Sequence, residues 1–189
     1  MPKIIVGTER MSAAALATLD RVLKHWGQPP LSEGQRAGLL KPGKHAWWIA
    51  WGWPPGTTDL RQAPAAYAIW TPVPDPGLWP YPMDHGIAVI QTVAANGGHA
   101  PVEGILRHLE VSVAAQRDPA PAWPPQGGYV TVLVRDPPPN AVAWLEKQGY
   151  QFAAAWKSNK GACRQYAYHR ACAPGADGGR VQDTLVGAN

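Results

Sequence analysis

The chain has 189 residues, a formal charge of +4, and hydrophobic and charged fractions of 46% and 16%. That is enough apolar content for one domain with a sizeable core. Its ten tryptophans exclude disorder over most of its length, and no apolar run reaches the length of a membrane span. Twenty-one prolines and twenty glycines imply many short elements and stiff loops. The opening MPKIIVGTER lacks the basic-then-apolar pattern of a signal peptide, so a cytoplasmic protein is expected. Cys163 and Cys172 form no CxxC motif or Cys/His cluster, and no metal site is expected. The basic balance permits a polyanionic partner or an anionic co-substrate without demanding either.

Lys3 to Val6 is a short apolar strand candidate. Ser12 is placed to cap a helix whose inner face is Leu16, Leu19, Leu23 and Trp26, and Gly27-Gln28-Pro29-Pro30 stops it. Leu31 to Leu40 reads as a second short helix. In His45 to Trp53, Trp47, Ile49, Trp51 and Trp53 alternate onto one face of a strand. That row reads either as packed core or as an exposed base-stacking platform. Ala65 to Thr71 is the next strand, joined to it as a hairpin. The proline-rich Pro72 to His85 is excluded from a central strand and reads as a binding loop or a rigid connector.

Ile87 to Val93 is a buried strand candidate ended by Asn96-Gly97-Gly98. Pro101 sits where a helix begins, and Val102, Ile105, Leu106, Leu109 and Val113 follow at helical spacing. This strand-turn-helix reads either as a plain connection or as an anion site, since backbone N–H groups and the positive helix end converge there. After a second proline-rich break, Asp118 to Gln126, comes Gly128 to Arg135, apolar on both faces as in a central strand. Pro137-Pro138-Pro139 opens a helix with Ala141, Trp144 and Leu145, closed by Gly149. Phe152 to Lys157 and Arg164 to Arg170 are the last two strands. Residues 1–170 thus read as one domain and 171–189 as a flexible tail. The order β-α-α-β-β-β-α-β-α-β-β describes an α/β fold with a mixed central sheet and helices on both faces.

This order, together with VTVLVRDPPPNAVAWLEKQGYQF, resembles the GNAT superfamily of N-acetyltransferases over roughly residues 3 to 170. The family pattern is a strand, Asn, Ala, then Leu-Tyr-Glu-Lys-x-Gly-Phe. Here Ala141, Glu146-Lys147, Gly149 and Tyr150 take the matching places. Val93 to Val102 is similar in placement to the family's pyrophosphate loop, Arg/Gln-x-x-Gly-x-Gly/Ala, with Gly97 at the basic position and Ala100 and Val102 at the glycines. Pro138 stands for the Asn, and Leu145 for the tyrosine that protonates the departing thiolate. Glu103 adds a carboxylate to the first helical turn, which repels a pyrophosphate if it faces one.

The resemblance implies a mainly antiparallel sheet and acetyl-CoA or another acyl-CoA as co-substrate, bound where the fourth and fifth strands part. Gln91, Thr92 and Val93 would line the pantetheine, and Gly97, Gly98, His99 and Ala100 would form the anion turn, with His99 either a phosphate donor or a solvated turn residue. Asp84, His85 and His45 are candidate bases for an amine acceptor. Tyr168, or Tyr166, is a candidate acid, although alternation along the strand equally buries both. Two further readings stand beside this one. The first is a binding module that has lost catalysis. The second is a nucleic-acid-binding protein using the tryptophans with Lys41, Lys44, Arg61, Lys157 and Lys160, which would show steep salt dependence.

Overall fold

The computed structural model describes residues 4–41, 47–71, 86–96, 98–114, 128–135, 139–157, 164–172 and 182–183. In chain order the elements are β1 (Ile5–Arg10), α1 (Ala13–His25), α2 (Glu33–Leu40), β2 (Trp48–Gly52), β3 (Ala66–Thr71) and β4 (Gly86–Ala95). They continue with α3 (Ala100–Ala114), β5 (Gly128–Arg135), α4 (Pro139–Lys147), β6 (Gln151–Lys157), β7 (Arg164–Cys172) and β8 (Gln182–Asp183). The strands form one sheet in the order β6-β7-β5-β4-β3-β2-β1-β8. All pairings are antiparallel except β4–β5 and β1–β8. The expected order of elements is therefore present, with β8 added from the stretch read as a tail.

The Ser12 hydroxyl accepts from Ala15 N at 3.1 Å and fixes the start of α1. Ser32 does the same for α2, with Gln35 returning the bond in a capping box. The first strand runs later than its apolar residues suggest, because its polar half, Thr8 to Arg10, pairs with β2. Glu9 there accepts from Trp51 Nε1 at 2.8 Å.

Each face of the sheet carries its own core. On one, Leu16, Leu19, Val22 and Leu23 of α1 pack on Ile49, Trp51, Trp53, Tyr67 and Ile69. The tryptophan row is thus interior, with Trp53 Nε1 satisfied by Gln62 O at 3.0 Å. Trp51 and Trp53 are therefore not an exposed platform for bases. An Asp20–Arg36 ion pair ties α1 to α2.

On the other face, Val102, Ile105, Leu106 and Leu109 of α3 pack with Val130, Val132, Leu145, Tyr150 and Tyr168. Here the sheet offers small residues, Ala50, Ala66 and Ala68, all fully buried, so α3 lies close to it. A Cβ on Gly52 would sit 2.8 Å from Pro101 O, and one on Gly104 would sit 2.5 Å from Ile4 Cγ2. Those two hydrogens in place of side chains set the depth of α3, and with it the position of the turn that precedes it. Among the described residues no helix is long and apolar enough to cross a membrane.

Candidate functional site

The parallel β4–β5 ladder runs from Gly86↔Gly128 to Ile90↔Val132 and stops. β4 continues through Gln91–Ala95 paired with β3 alone: Thr92↔Ile69, Val93↔Ala68, Ala94↔Tyr67 and Ala95↔Ala66. β5 continues through Leu133, Val134 and Arg135 paired with β7 alone. Two central neighbours therefore part halfway along their length. The other edge of β4 is irregular at the same point. Trp70 pairs with Ile90 and Ile69 with Thr92, which leaves Gln91 as an extra, bulged residue. A bulge bends its strand and raises the local twist, and this one sits at the residue where the ladder to β5 ends. Beyond it the backbone of Gln91–Ala95 is in ladder with β3 and not with β5, and N–H and C=O groups on such an edge require partners.

This unladdered reach of β4 leads to the start of α3. Asn96 N donates to Ala65 O at 2.8 Å, ending the strand. Gly98 adopts φ 133, a conformation that favours glycine. Glu103 N donates to His99 O at 2.9 Å, the first bond of the helix. By helix geometry the amides of Ala100 and Val102 precede that ladder, and Pro101 has none to leave unpaired. The Val102 side chain is only 6% exposed, within the α3 core. The Glu103 carboxylate accepts from Gln148 Nε2 at 3.3 Å, beside the end of α4.

The second wall is α4 with β7. The His99 ring stacks on Trp144, with centroids 5.4 Å apart and planes at 25°. It joins the two segments that leave the diverging strands. Tyr168 pairs with Val132, the last β5 residue in the ladder to β4, and is 4% exposed. Burial raises its phenol pKa above the usual 10.0, and Glu146 and Tyr166 add to the shift. Further along α3, Glu110 accepts from Tyr150 Oη at 3.0 Å and pairs with Arg170 at 3.2 Å. Arg170 also donates to Gln148 O at 2.9 Å, so one polar network fastens α3, the end of α4 and β7 together.

No protein-family profile matches the sequence, and no curated protein does. Solved structures do. An acetyltransferase of the GNAT family from Listeria monocytogenes superposes with a TM-score of 0.54 at 10% identity, covering 87% of this chain and 93% of that one. The chain has the GNAT fold. An aminoglycoside N(6')acetyltransferase from Legionella pneumophila is similar, with a TM-score of 0.54, 12% identity and coverage of 91% and 95%. An N-acetyltransferase from Staphylococcus aureus gives a TM-score of 0.57 at 4% identity, covering 89% and 98%.

Within this GNAT fold the residues singled out from the sequence fall into three groups. Gln91 is the bulge, and Thr92 and Val93 lie along the open reach of β4. Gly98, His99 and Ala100 form the turn and the helix start. Asp84, His85, Gly97, His45 and Pro138 lie outside the described residues, as do the Pro72–His85 loop and the Asp118–Gln126 break. Tyr168 belongs to the buried core on the α3 face, and Leu145 is core as well at 4% exposure. Sequence reasoning missed the bulge, the His99–Trp144 stack and the Glu110 network. A bulge is a fact of register, and the other two join residues far apart in sequence, so no local pattern announces them.

Proposed function

We propose that the protein is an acyl-CoA-dependent N-acyltransferase that moves an acyl group, acetyl first among them, to an amine. The observation that carries the reading is the β4–β5 ladder ending at Ile90↔Val132 beside a bulge, with a helix start after the unladdered reach of β4. The amides of pantetheine take up the free β4 edge at Gln91–Val93, as an added strand would. The pyrophosphate rests on the N–H groups at the start of α3. The burial of Val102 in the α3 core supports this, since that side chain packs with the core; the Glu103 carboxylate, held by Gln148, keeps its charge and weakens the anion's attraction to the turn.

The amine nitrogen attacks the thioester carbonyl carbon, the C–S bond breaks and an amide forms. A base takes the ammonium proton, and we assign that role to Asp84 or His85, which precede β4 in the sequence. Tyr168 stays protonated through neutral pH and gives its proton to the leaving thiolate. The reading carries a cytoplasmic location, tested by fractionating cells that express the tagged chain.

Acetyl-CoA at a hundredfold excess over its Kd is expected to add about 2.7 kcal/mol of stability. For a chain of this size that raises Tm by about 5–10 °C. Thiol release should then follow with a panel of small amines, peptides and nucleobase amines. A calorimetric titration without heat, together with an unmoved Tm, refutes the proposal. A second reading, a binding module without turnover, is favoured by Leu145 standing in the core where the family has tyrosine. It predicts the same thermal shift and no thiol release with any amine.

A further inference from the structure

The acyl-CoA reading leaves unused the most unusual contact near the start of α3, the stack of His99 on Trp144. His99 is exposed, so its ring contributes little to the core, while Trp144 is half-buried against the α3 core. Two stacked aromatic rings, one of them open to solvent, therefore stand beside a turn whose amides suit a phosphate. Nucleotides are held by that combination: charge on backbone N–H groups, base on an aromatic face. His99 is also the residue whose carbonyl starts α3. Its ring thus leaves the chain next to the amides of the turn, within one nucleotide's reach of an anion held there.

We propose that the solvent-facing side of the His99–Trp144 pair is the platform for the purine base of the acyl donor, with Trp144 holding the His99 ring in place. The inference rests on the acyl-CoA reading and deepens it. It assigns recognition of the nucleotide end to two side chains, where the pantetheine end is held by backbone. A chain whose turn carries Gly97 at the family's basic position gains back, through stacking, affinity that a charged side chain would otherwise supply.

The test compares two donors that share thioester, pantetheine and its 4′-phosphate and differ in the 3′-phospho-AMP part that carries the base: acetyl-CoA and S-acetyl-4′-phosphopantetheine. Calorimetry is run on the wild type, His99→Ala, Trp144→Ala and Trp144→Phe. The platform predicts that His99→Ala and Trp144→Ala bind acetyl-CoA roughly 5- to 140-fold more weakly, the range for loss of one base–aromatic stack. It also predicts that they bind S-acetyl-4′-phosphopantetheine within about twofold of the wild type, and that Trp144→Phe restores most of the loss. Equal weakening toward both donors overturns the proposal, because the stack then only braces the turn. Unchanged affinity of His99→Ala for acetyl-CoA overturns it as well. A wild type that binds neither donor removes the acyl-CoA reading and the platform with it. His99→Ala is the decisive variant, since an exposed ring can be removed without opening the core.

Discussion

Gly52 is the sharpest test of how α3 is seated. It ends β2, and a Cβ there would lie 2.8 Å from Pro101 O and 3.2 Å from both Ile105 Cδ1 and Ile105 Cγ1. The isoleucine tip can rotate away, but the Pro101 carbonyl belongs to the first turn of α3 and moves only with the helix. Overpacking of this kind costs about 1–3 kcal/mol. The lower entropy of an alanine in the unfolded chain returns about 0.4–1 kcal/mol, so Gly52→Ala should lose about 1.3 kcal/mol at the middle of these ranges and at most about 2.6. At about 2–4 °C per kcal/mol for this chain length, the middle value lowers Tm by about 3–5 °C in differential scanning calorimetry. Acetyl-CoA affinity should fall with it, because the displaced turn contains the amides of Ala100 and Val102. The control is Gly38→Ala in α2, where a Cβ meets nothing within 4 Å. Alanine in a helix interior there should stabilise by about 0.5–1 kcal/mol. A Gly52→Ala protein as stable as the wild type, with unchanged donor affinity, would show that α3 does not lie at this depth.

Two further outcomes follow from the titratable groups. Burial raises the Glu110 pKa above the ordinary 4.5, against the lowering influence of Arg170, the Tyr150 hydrogen bond and Arg107. A raised carboxyl favours the folded state most at acid pH, below the unfolded value, and that advantage is lost as pH rises through the folded value. The stability of the wild type minus that of Glu110→Gln, from urea titrations, should therefore shrink as pH climbs from about 4.5 toward neutral. A difference that grows with pH would mean that Arg170 and Tyr150 outweigh burial. Tyr168→Phe keeps the buried ring and removes only the hydroxyl. If Tyr168 is the acid, kcat falls by about 10²- to 10⁴-fold with little change in donor KM, and an unchanged kcat leaves Tyr168 as core alone.

The order of elements could be read from the sequence because local signals agree with the global fold at most points. Gly128 to Arg135, apolar on both faces, is a central strand with the expected bounds. Ser12 and Gly149 mark helix ends where caps are needed, Gly149 with φ 84. The reading slipped where a partner rather than the residues decides. β1 extends into Thr8–Arg10 because β2 offers a ladder, and β8 exists only through two backbone pairs with β1. Tryptophan alternation established a face but not its surroundings, and the packing of α1 decides between platform and core.

The point at which β4 leaves the ladder to β5 was not legible in the sequence, and one residue explains why. Nothing about Gln91 in isolation marks a bulge. The extra residue exists only as a mismatch between the registers of β3 and β4, where Ile69 and Trp70 are adjacent and their partners Thr92 and Ile90 are not. Removing that mismatch would carry the parallel ladder past Ile90↔Val132 and zip β4 to β5. Deletion of Gln91 therefore has a consequence that side-chain replacement does not. Gln91→Ala leaves the backbone count intact and should keep donor binding within a few-fold. The deletion makes Ile90 and Thr92 adjacent opposite Trp70 and Ile69, so a regular ladder forms with every other pair, and hence every side-chain face, unchanged. If the opening is made by the bulge, the deleted chain loses acetyl-CoA binding altogether, with Gln91→Ala as the control that excludes a role for the side chain. A deleted chain that folds and still binds acetyl-CoA would separate the opening from the bulge and leave the seating of α3 as its cause.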